Sequence, residues 1–131
     1  MSIFVDSSAL VAAVIREDVN YEAATLLFRS LLDEDEPLIT TNYIAVETIA
    51  VLQTRSGMEA VRAADGLMEA LEVQWVSPTL HGLGQAALLR WDRRRLSLVD
   101  CVSFFFMREQ GLSRVFTFDR HFAEQGFAVI P

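Results

Sequence analysis

Short apolar segments alternate with longer segments of helical periodicity along the whole chain. The short segments are rich in β-branched and aromatic residues, which predicts buried strands, at 3–5, 38–39, 73–76, 114–118 and 127–130. The longer segments repeat apolar residues three and four positions apart, which predicts helices, at 9–16, 21–32, 43–54, 59–71, 78–93, 97–111 and 119–124. Strands that alternate with helices predict an α/β fold, here a three-layer α/β/α sandwich with a central parallel sheet.

Hydroxyl residues mark the expected starts of several helices. Ser7 or Ser8 is placed to cap the first helix, and Thr40 or Thr41 the third. Ser97 opens the sixth helix as its cap.

Length and composition narrow the class of protein. The chain has 131 residues, 52% of them hydrophobic, and we assign 1–131 to a single domain with a sheet buried on both faces. No apolar run reaches the roughly 18 residues of a membrane helix, and the N-terminus lacks the pattern of a signal peptide. With Cys101 as the single cysteine, we expect a cytoplasmic protein without membrane contact.

Four predicted apolar segments each deliver one acid and no base. The acids are Asp6, Glu47, Asp100 and Asp119. Three of them fall at a strand end or a helix start, and the carboxyl ends of parallel strands meet at one edge of a sheet. We therefore expect the four side chains to line one acidic pocket.

Each acid also has a structural interpretation. Asp6 and Asp119 are suited to cap the helices that follow them, and Asp100 fits a capping box with Ser97. Glu47 has the weakest such explanation, because its neighbours at helical spacing are uncharged. A carboxylate among apolar residues is costly unless it is paired or binds metal.

The chemistry of such a pocket points to metal-dependent hydrolysis. Gathered carboxylates repel one another and stay ionised together only when a cation offsets their charge. Oxygen donors suit Mg²⁺ or Mn²⁺, and the chain has no Cys/His pair with zinc spacing. Two such ions about 3.5–4 Å apart are the usual arrangement for attack on a phosphodiester. The four acids are thus the predicted metal ligands and catalytic residues.

Hydroxyl side chains near the acids form a second group of candidates. Ser7, Thr117 and Ser103 are placed to orient metal-bound water or phosphate, with ordinary strand or cap hydroxyls as the alternative.

Basic and aromatic residues could meet a nucleic acid. Arg93, Arg94 and Arg95 form the one basic cluster, which suits RNA phosphates or a solvated helix end. Arg120 and His121 flank Asp119 and are candidate substrate contacts, with surface positions as the alternative. The net charge of −7 argues against a broad basic binding face, but not against a nuclease whose acids bind metal. For the large aromatic residues, core or dimer contacts are favoured over base stacking: Trp75, Trp91, Phe104, Phe105 and Phe106.

The sequence resembles the PIN domain, and in particular the short single-domain toxins of the VapC type in type II toxin–antitoxin systems. The matching segments are FVDSSAL, ITTNYIAVETIAVL, LSLVDCVSF and VFTFDRHFAEQGFAVIP, in family order and over essentially the whole chain. The resemblance implies an acidic quartet of the four acids named above, with Thr117 in the family's Thr/Ser-x-Asp position. It further implies Mg²⁺- or Mn²⁺-dependent endonuclease cleavage of RNA, a homodimer, and inhibition by a VapB-like antitoxin. The sequence departs from the commonest pattern at Ser8, where many relatives have asparagine.

Two other functions were weighed. A phosphoacceptor or phosphatase domain also uses aspartates at strand ends, but haloacid-type phosphatases need a second aspartate where Ser8 stands, and receiver domains need a lysine that this chain lacks. A catalytically inactive PIN scaffold that binds a partner is the other alternative, and the intact quartet argues against it.

Overall fold

The computed structural model describes residues 2–131, which form five strands and seven helices in the order that the sequence predicts. The elements are β1 (Ile3–Val5), α1 (Ser7–Val14), α2 (Tyr21–Asp33), β2 (Leu38–Thr41), α3 (Asn42–Ser56), α4 (Met58–Met68), β3 (Glu72–Gln74), α5 (Pro78–Trp91), α6 (Leu98–Glu109), β4 (Arg114–Phe116), α7 (His121–Glu124) and β5 (Ala128–Ile130).

The five strands form one parallel sheet in the order β3-β2-β1-β4-β5. The chain moves outward from β1 through β2 to β3, and α5 and α6 then return it to β4 on the other side of β1. The direction of winding therefore reverses between β1 and β4, and such a reversal leaves a crevice at the carboxyl edge of the sheet.

Helices cover both faces of the sheet, which confirms the predicted three-layer α/β/α fold. Neighbouring strands of the sheet point aromatic rings to opposite sides. Phe4 of β1 lies 5.7 Å from Phe106 of α6, whereas Phe116 of β4 lies 4.6 Å from Phe28 of α2 (ring centroids). The residues of β1 are fully buried, as expected for the central strand of such a sandwich.

Helices α5 and α6 pack closely at Gly84. A Cβ atom on Gly84 would lie 2.4 Å from Cγ2 of Val102 and 3.0 Å from its backbone nitrogen. Only glycine allows this separation, and the contact fixes the position of α6, which carries Asp100 near its N-terminus.

The first helix begins two residues earlier than predicted. Its N-cap is Asp6, whose side chain accepts a hydrogen bond from the Ser8 backbone N–H, so the prediction of a serine cap is wrong. The backbone of Asp6 is extended, and both serines already belong to the helix. Aspartate and serine are both good caps, and the residue nearest the strand takes the position.

Other element boundaries also differ from the prediction, and two of these differences move residues discussed above. Strand β3 ends at Gln74, so Trp75 lies in a loop and is 79% exposed. Of the two predicted roles for Trp75, the core contact is wrong and the dimer contact stays a prediction. Helix α5 ends at Trp91 because Asp92 adopts a left-handed conformation, with φ of 52°. The three arginines 93–95 therefore lie in the connection to α6. Within residues 2–131, no helix combines the length and apolar character needed to cross a membrane.

Candidate metal centre

Asp6 lies at the carboxyl end of the central strand, beside the crevice between β1 and β4, and is 2% exposed. Its Oδ2 atom accepts hydrogen bonds from the hydroxyls of Ser8 (2.7 Å) and Thr117 (2.8 Å). Burial raises the pKa of Asp6, the two hydroxyls lower it, and the charge of Asp119 raises it further. Both hydroxyls contact the same carboxylate oxygen, Oδ2.

Two hydroxyls join the start of α1 to the segment that follows β4. The Ser8 hydroxyl accepts a hydrogen bond from the Phe118 backbone N–H, and the Thr117 hydroxyl accepts one from the Asp119 N–H, each at 2.9 Å. The two hydroxyl oxygens lie 3.0 Å apart. This network holds Asp6 and Asp119 in a fixed relation across the crevice.

Glu47 reaches the pocket from α3. The hydroxyl of Ser7 donates a hydrogen bond to its Oε1 atom. Burial raises the pKa of Glu47, the Ser7 hydrogen bond lowers it, and the charges of Asp6 and Asp119 raise it. The two neighbouring serines therefore orient different acids: Ser7 orients Glu47, and Ser8 orients Asp6.

Asp100 caps a helix and lines the pocket as well. Its Oδ2 atom accepts a hydrogen bond from the Ser97 backbone N–H (3.0 Å), and its own N–H donates to the Ser97 hydroxyl (3.1 Å), so the predicted capping box is confirmed. Asp100 is 8% exposed. Burial, together with the charges of Asp6 and Asp119, raises its pKa to about 6 despite the hydrogen bonds from Ser97.

Asp119 follows β4, and 27% of its side chain is exposed. Its Oδ1 atom accepts a hydrogen bond from the backbone N–H of His121 (2.9 Å). The Nδ1 atom of His121 lies 2.9 Å from the same oxygen, although the ring is not oriented to form a hydrogen bond there. Only 11% of the His121 side chain is exposed. His121 is therefore not the surface residue that the sequence analysis gave as the alternative.

The four acids line one pocket of about 340 Å³. Asp6, Glu47 and Asp100 each have a raised pKa, to which the charges of the other acids contribute. The structure thus places these predicted residues together, as the sequence reasoning expected.

Other predicted residues lie elsewhere. The Ser103 hydroxyl donates to the Val99 carbonyl one helical turn back, and Ser103 does not line the pocket. Arg93 and Arg120 both contact Glu124, at 3.1 Å and 3.9 Å. Arg94 and Arg95 are exposed and lie outside the residues that line the pocket.

Sequence reasoning missed a base at the rim of the pocket. Arg55 lines the pocket near the end of α3, and it is the one base among the described residues that do so. It stands two helical turns after Glu47, with Val51 between them, so the three share one face of the helix. The spacing of two helical turns between Glu47 and Arg55 was the feature of the sequence that could have placed this base at the pocket. Asp18 and Asn20, from the loop after α1, complete this rim.

The donors present fit a divalent cation. Carboxylate oxygens dominate the pocket, and these are the ligands that Mg²⁺ and Mn²⁺ prefer. Asp100, Asp119 and His121 each offer a donor atom, and the three atoms lie within 4.8 Å of one another.

The fold and the pocket together define the class of protein: the chain belongs to the PIN domain family, whose model matches residues 3–128. The predicted family is confirmed, and with it the class of nucleases that depend on divalent metal ions.

Among known proteins, the chain is similar to the 23S rRNA-specific endonuclease VapC20 of Mycobacterium tuberculosis. The two are 32% identical over 130 residues, which cover 98% of this chain and 97% of VapC20. The crystal structure of that protein, described as a sarcin–ricin loop cleaving toxin, superposes with a TM-score of 0.84 and covers 98% of this chain and 99% of that one. The predicted resemblance to toxins of the VapC type is confirmed.

More distant solved structures share the fold. VapBC2 from Rickettsia felis, bound to a promoter DNA fragment, matches at 13% identity with a TM-score of 0.69, over 98% of this chain and 97% of that one. FitAcB from Neisseria gonorrhoeae matches at 11% identity with a TM-score of 0.68, over 100% of this chain and 97% of that one.

Proposed function

We propose that this protein is a metal-dependent endoribonuclease that hydrolyses RNA phosphodiester bonds at the acidic pocket, and that it is the toxin of a toxin–antitoxin pair. The observation that carries the proposal is the convergence of Asp6, Glu47, Asp100 and Asp119 on one pocket. The similarity to a 23S rRNA-specific endonuclease over nearly the whole chain supports RNA as the substrate. The complete quartet gives the inactive-scaffold alternative no support.

The four acids are the proposed ligands of Mg²⁺ or Mn²⁺. When bound, such an ion lowers the pKa of a water molecule and offsets the negative charge that develops on phosphate oxygens. The chain's own hydroxyls set the geometry, since Ser8 and Thr117 fix Asp6 and Ser7 fixes Glu47. Burial of three of the acids excludes water and strengthens their interaction with a cation.

Arg55 is the proposed contact for a substrate phosphate. It is exposed, lines the rim of the pocket, and forms no ion pair within residues 2–131. Arg94 and Arg95 are exposed on the connection before α6 and are proposed to meet RNA farther from the cleaved bond.

The proposed biological setting follows from the similarity to a toxin. We propose a single-domain cytoplasmic protein that is held inactive by a VapB-like antitoxin and forms a homodimer. Analytical ultracentrifugation of the purified protein tests the dimer, and a monomer at micromolar concentration would contradict it.

The activity is tested with an RNA hairpin that carries the sarcin–ricin loop of 23S rRNA. We expect cleavage at one position with Mg²⁺ or Mn²⁺ and none in EDTA. A scrambled hairpin of equal length controls for selectivity. Asp6→Asn should lose on the order of 10²-fold in rate or more while its circular dichroism spectrum stays unchanged. Equal cleavage in EDTA, or a fully active Asp6→Asn variant, would overturn the proposal.

A further inference from the structure

The side chain of His121 lies beside Asp119, which lines the acidic pocket, although His121 belongs neither to the lining residues nor to the proposed quartet. Helix α7 begins at His121. In the turn before it, the His121 backbone N–H donates a hydrogen bond to the Asp119 carboxylate. Phe122, the next residue, is fully buried and anchors that helix against the core. The ring of His121 is thereby held beside Asp119.

The Nδ1 atom of His121 has an unusual environment. It is buried and forms no hydrogen bond, although Oδ1 of Asp119 is only 2.9 Å away. A buried polar atom without a partner is costly, and most such atoms in proteins are satisfied. A cation bound between this nitrogen and the Asp119 carboxylate would give both atoms a partner.

The separation of the two atoms suits ligands that share a cation. In octahedral coordination with ligand distances of about 2.0–2.1 Å, neighbouring ligands lie about 3 Å apart. The Nδ1 and Oδ1 atoms are 2.9 Å apart and do not point at each other as donor and acceptor. A donor atom of Asp100 completes a set in which all three atoms lie within 4.8 Å.

We infer that His121 is a further ligand of the divalent cation that Asp100 and Asp119 hold, and that its ring nitrogen makes this position prefer Mn²⁺ to Mg²⁺. The inference rests on the proposed metal-dependent function. Mg²⁺ is a hard ion that takes oxygen donors, whereas transition-metal ions accept imidazole nitrogen. An imidazole ligand also adds a donor atom without adding another negative charge to a pocket whose acids already repel one another.

The most direct test is electron spin-echo envelope modulation of Mn²⁺ bound to the protein. We expect a coupling to a directly bound histidine nitrogen, which changes when the histidines are labelled with ¹⁵N. The chain has two histidines, so His81→Gln is a matched control. His81 is hydrogen-bonded to the Tyr43 hydroxyl and does not line the pocket. The coupling should persist in His81→Gln and disappear in His121→Gln.

Metal affinity gives a second readout. His121→Gln should lower the affinity for Mn²⁺ roughly tenfold or more and that for Mg²⁺ much less, so the ratio of the two affinities falls. Equal losses for both ions would show that His121 only positions Asp119, and the inference would be wrong. The spectrum of the parent protein decides the matter if the variant fails to fold, since bound Mn²⁺ without nitrogen coupling overturns the inference.

The two proposals fail in different ways. Mn²⁺ bound at the acids without nitrogen coupling leaves the proposed nuclease intact and removes His121 from the ligand set. Absence of Mn²⁺ binding that depends on Asp6 and Glu47 would instead contradict the proposed function itself.

Discussion

Asp100 shows how one carboxylate can serve both the fold and the site. Its Oδ2 atom completes the capping box of α6, while the charges of Asp6 and Asp119 in the pocket raise its pKa. The structural and functional interpretations of this residue are thus compatible. Because burial raises its pKa to about 6, the carboxyl group binds its proton more tightly in the folded protein than in the unfolded chain.

This pKa makes the metal-free protein less stable as the pH rises. The contribution of Asp100 to stability is fully present below the unfolded pKa of about 3.8 and is lost as the pH passes about 6. In Asp100→Asn the amide oxygen can still accept from Ser97, so the cap remains. Relative to the parent, the variant should gain roughly 2 kcal/mol in free energy of unfolding between pH 4 and pH 7.5 in EDTA.

Urea unfolding of both proteins at several pH values measures this difference, and subtraction cancels groups that the two proteins share. A difference that stays constant with pH would mean that Asp100 ionises as freely in the folded protein as in the unfolded chain. The variant should also lose cleavage activity, since the pocket loses one charge where cations bind.

The sequence identified some residues of the candidate site and missed others. The four acids stood out because each was a lone charge in an apolar segment, which is a local signal. Nothing local distinguished His121 from a surface residue, because its burial depends on how α7 packs beside β4. Arg55 carried a weak signal in its helical spacing from Glu47, which gained meaning only when α3 was placed at the pocket.

At the scale of elements, the contact between α5 and α6 determines where Asp100 stands. We expect Gly84→Ala to destabilise the protein by about 1–2 kcal/mol, because overpacking against the Val102 backbone outweighs the better helix propensity of alanine. Gly82 lies in the same helix with no atom within 4 Å of an added Cβ. Gly82→Ala should therefore stabilise by up to about 1 kcal/mol.

Urea unfolding of the two glycine variants separates packing from propensity. Equal stabilisation by both alanines would show that α5 and α6 can move apart without cost. If α6 shifts instead, Gly84→Ala should also weaken metal binding.

Helix α3 carries both a proposed metal ligand and the proposed phosphate contact. Arg55→Gln should lower kcat/KM for RNA, and the slope of log(kcat/KM) against log salt should become shallower by about one. Removal of this positive charge should leave Mg²⁺ affinity unchanged or raise it. Arg62→Gln, an exposed position on α4 outside the pocket, is the matched control. An unaltered salt slope in Arg55→Gln would exclude contact with phosphate.

The order of elements was predictable, whereas some of their ends were not. The spacing of apolar residues distinguishes helices from strands, so the sequence predicted all five strands and seven helices in the correct order. Boundaries depend on a single hydrogen bond or one backbone angle, as at Asp6 and Asp92. Trp75 was misplaced because an aromatic residue next to a strand resembles the strand itself.

At the scale of the whole molecule, strand order explains why the acids converge. The alternation of strands and helices predicted parallel strands whose carboxyl ends meet at one edge of the sheet. The order β3-β2-β1-β4-β5, however, depends on pairings between distant segments. That order puts the reversal of winding beside β1, where Asp6 ends the central strand. Acids from β1, α3, α6 and the segment after β4 then face one crevice.

The net charge of −7 repels a polyanion, and cations held at this crevice would offset that repulsion. We expect repulsion among the four carboxylates to lower the stability of the metal-free protein, and a bound metal ion to offset that repulsion. Glu47→Gln isolates this effect, because the amide keeps the shape and the helix while it removes one charge.

Thermal melts of the parent and of Glu47→Gln, each in EDTA and in Mn²⁺, measure whether the four acids form a metal site. We expect the variant to melt at a higher temperature than the parent in EDTA and to gain less stability from Mn²⁺. A variant that is less stable without metal, and that gains as much from Mn²⁺ as the parent, would show that Glu47 is not a metal ligand. Glu47 would then be a structural hydrogen-bonding residue.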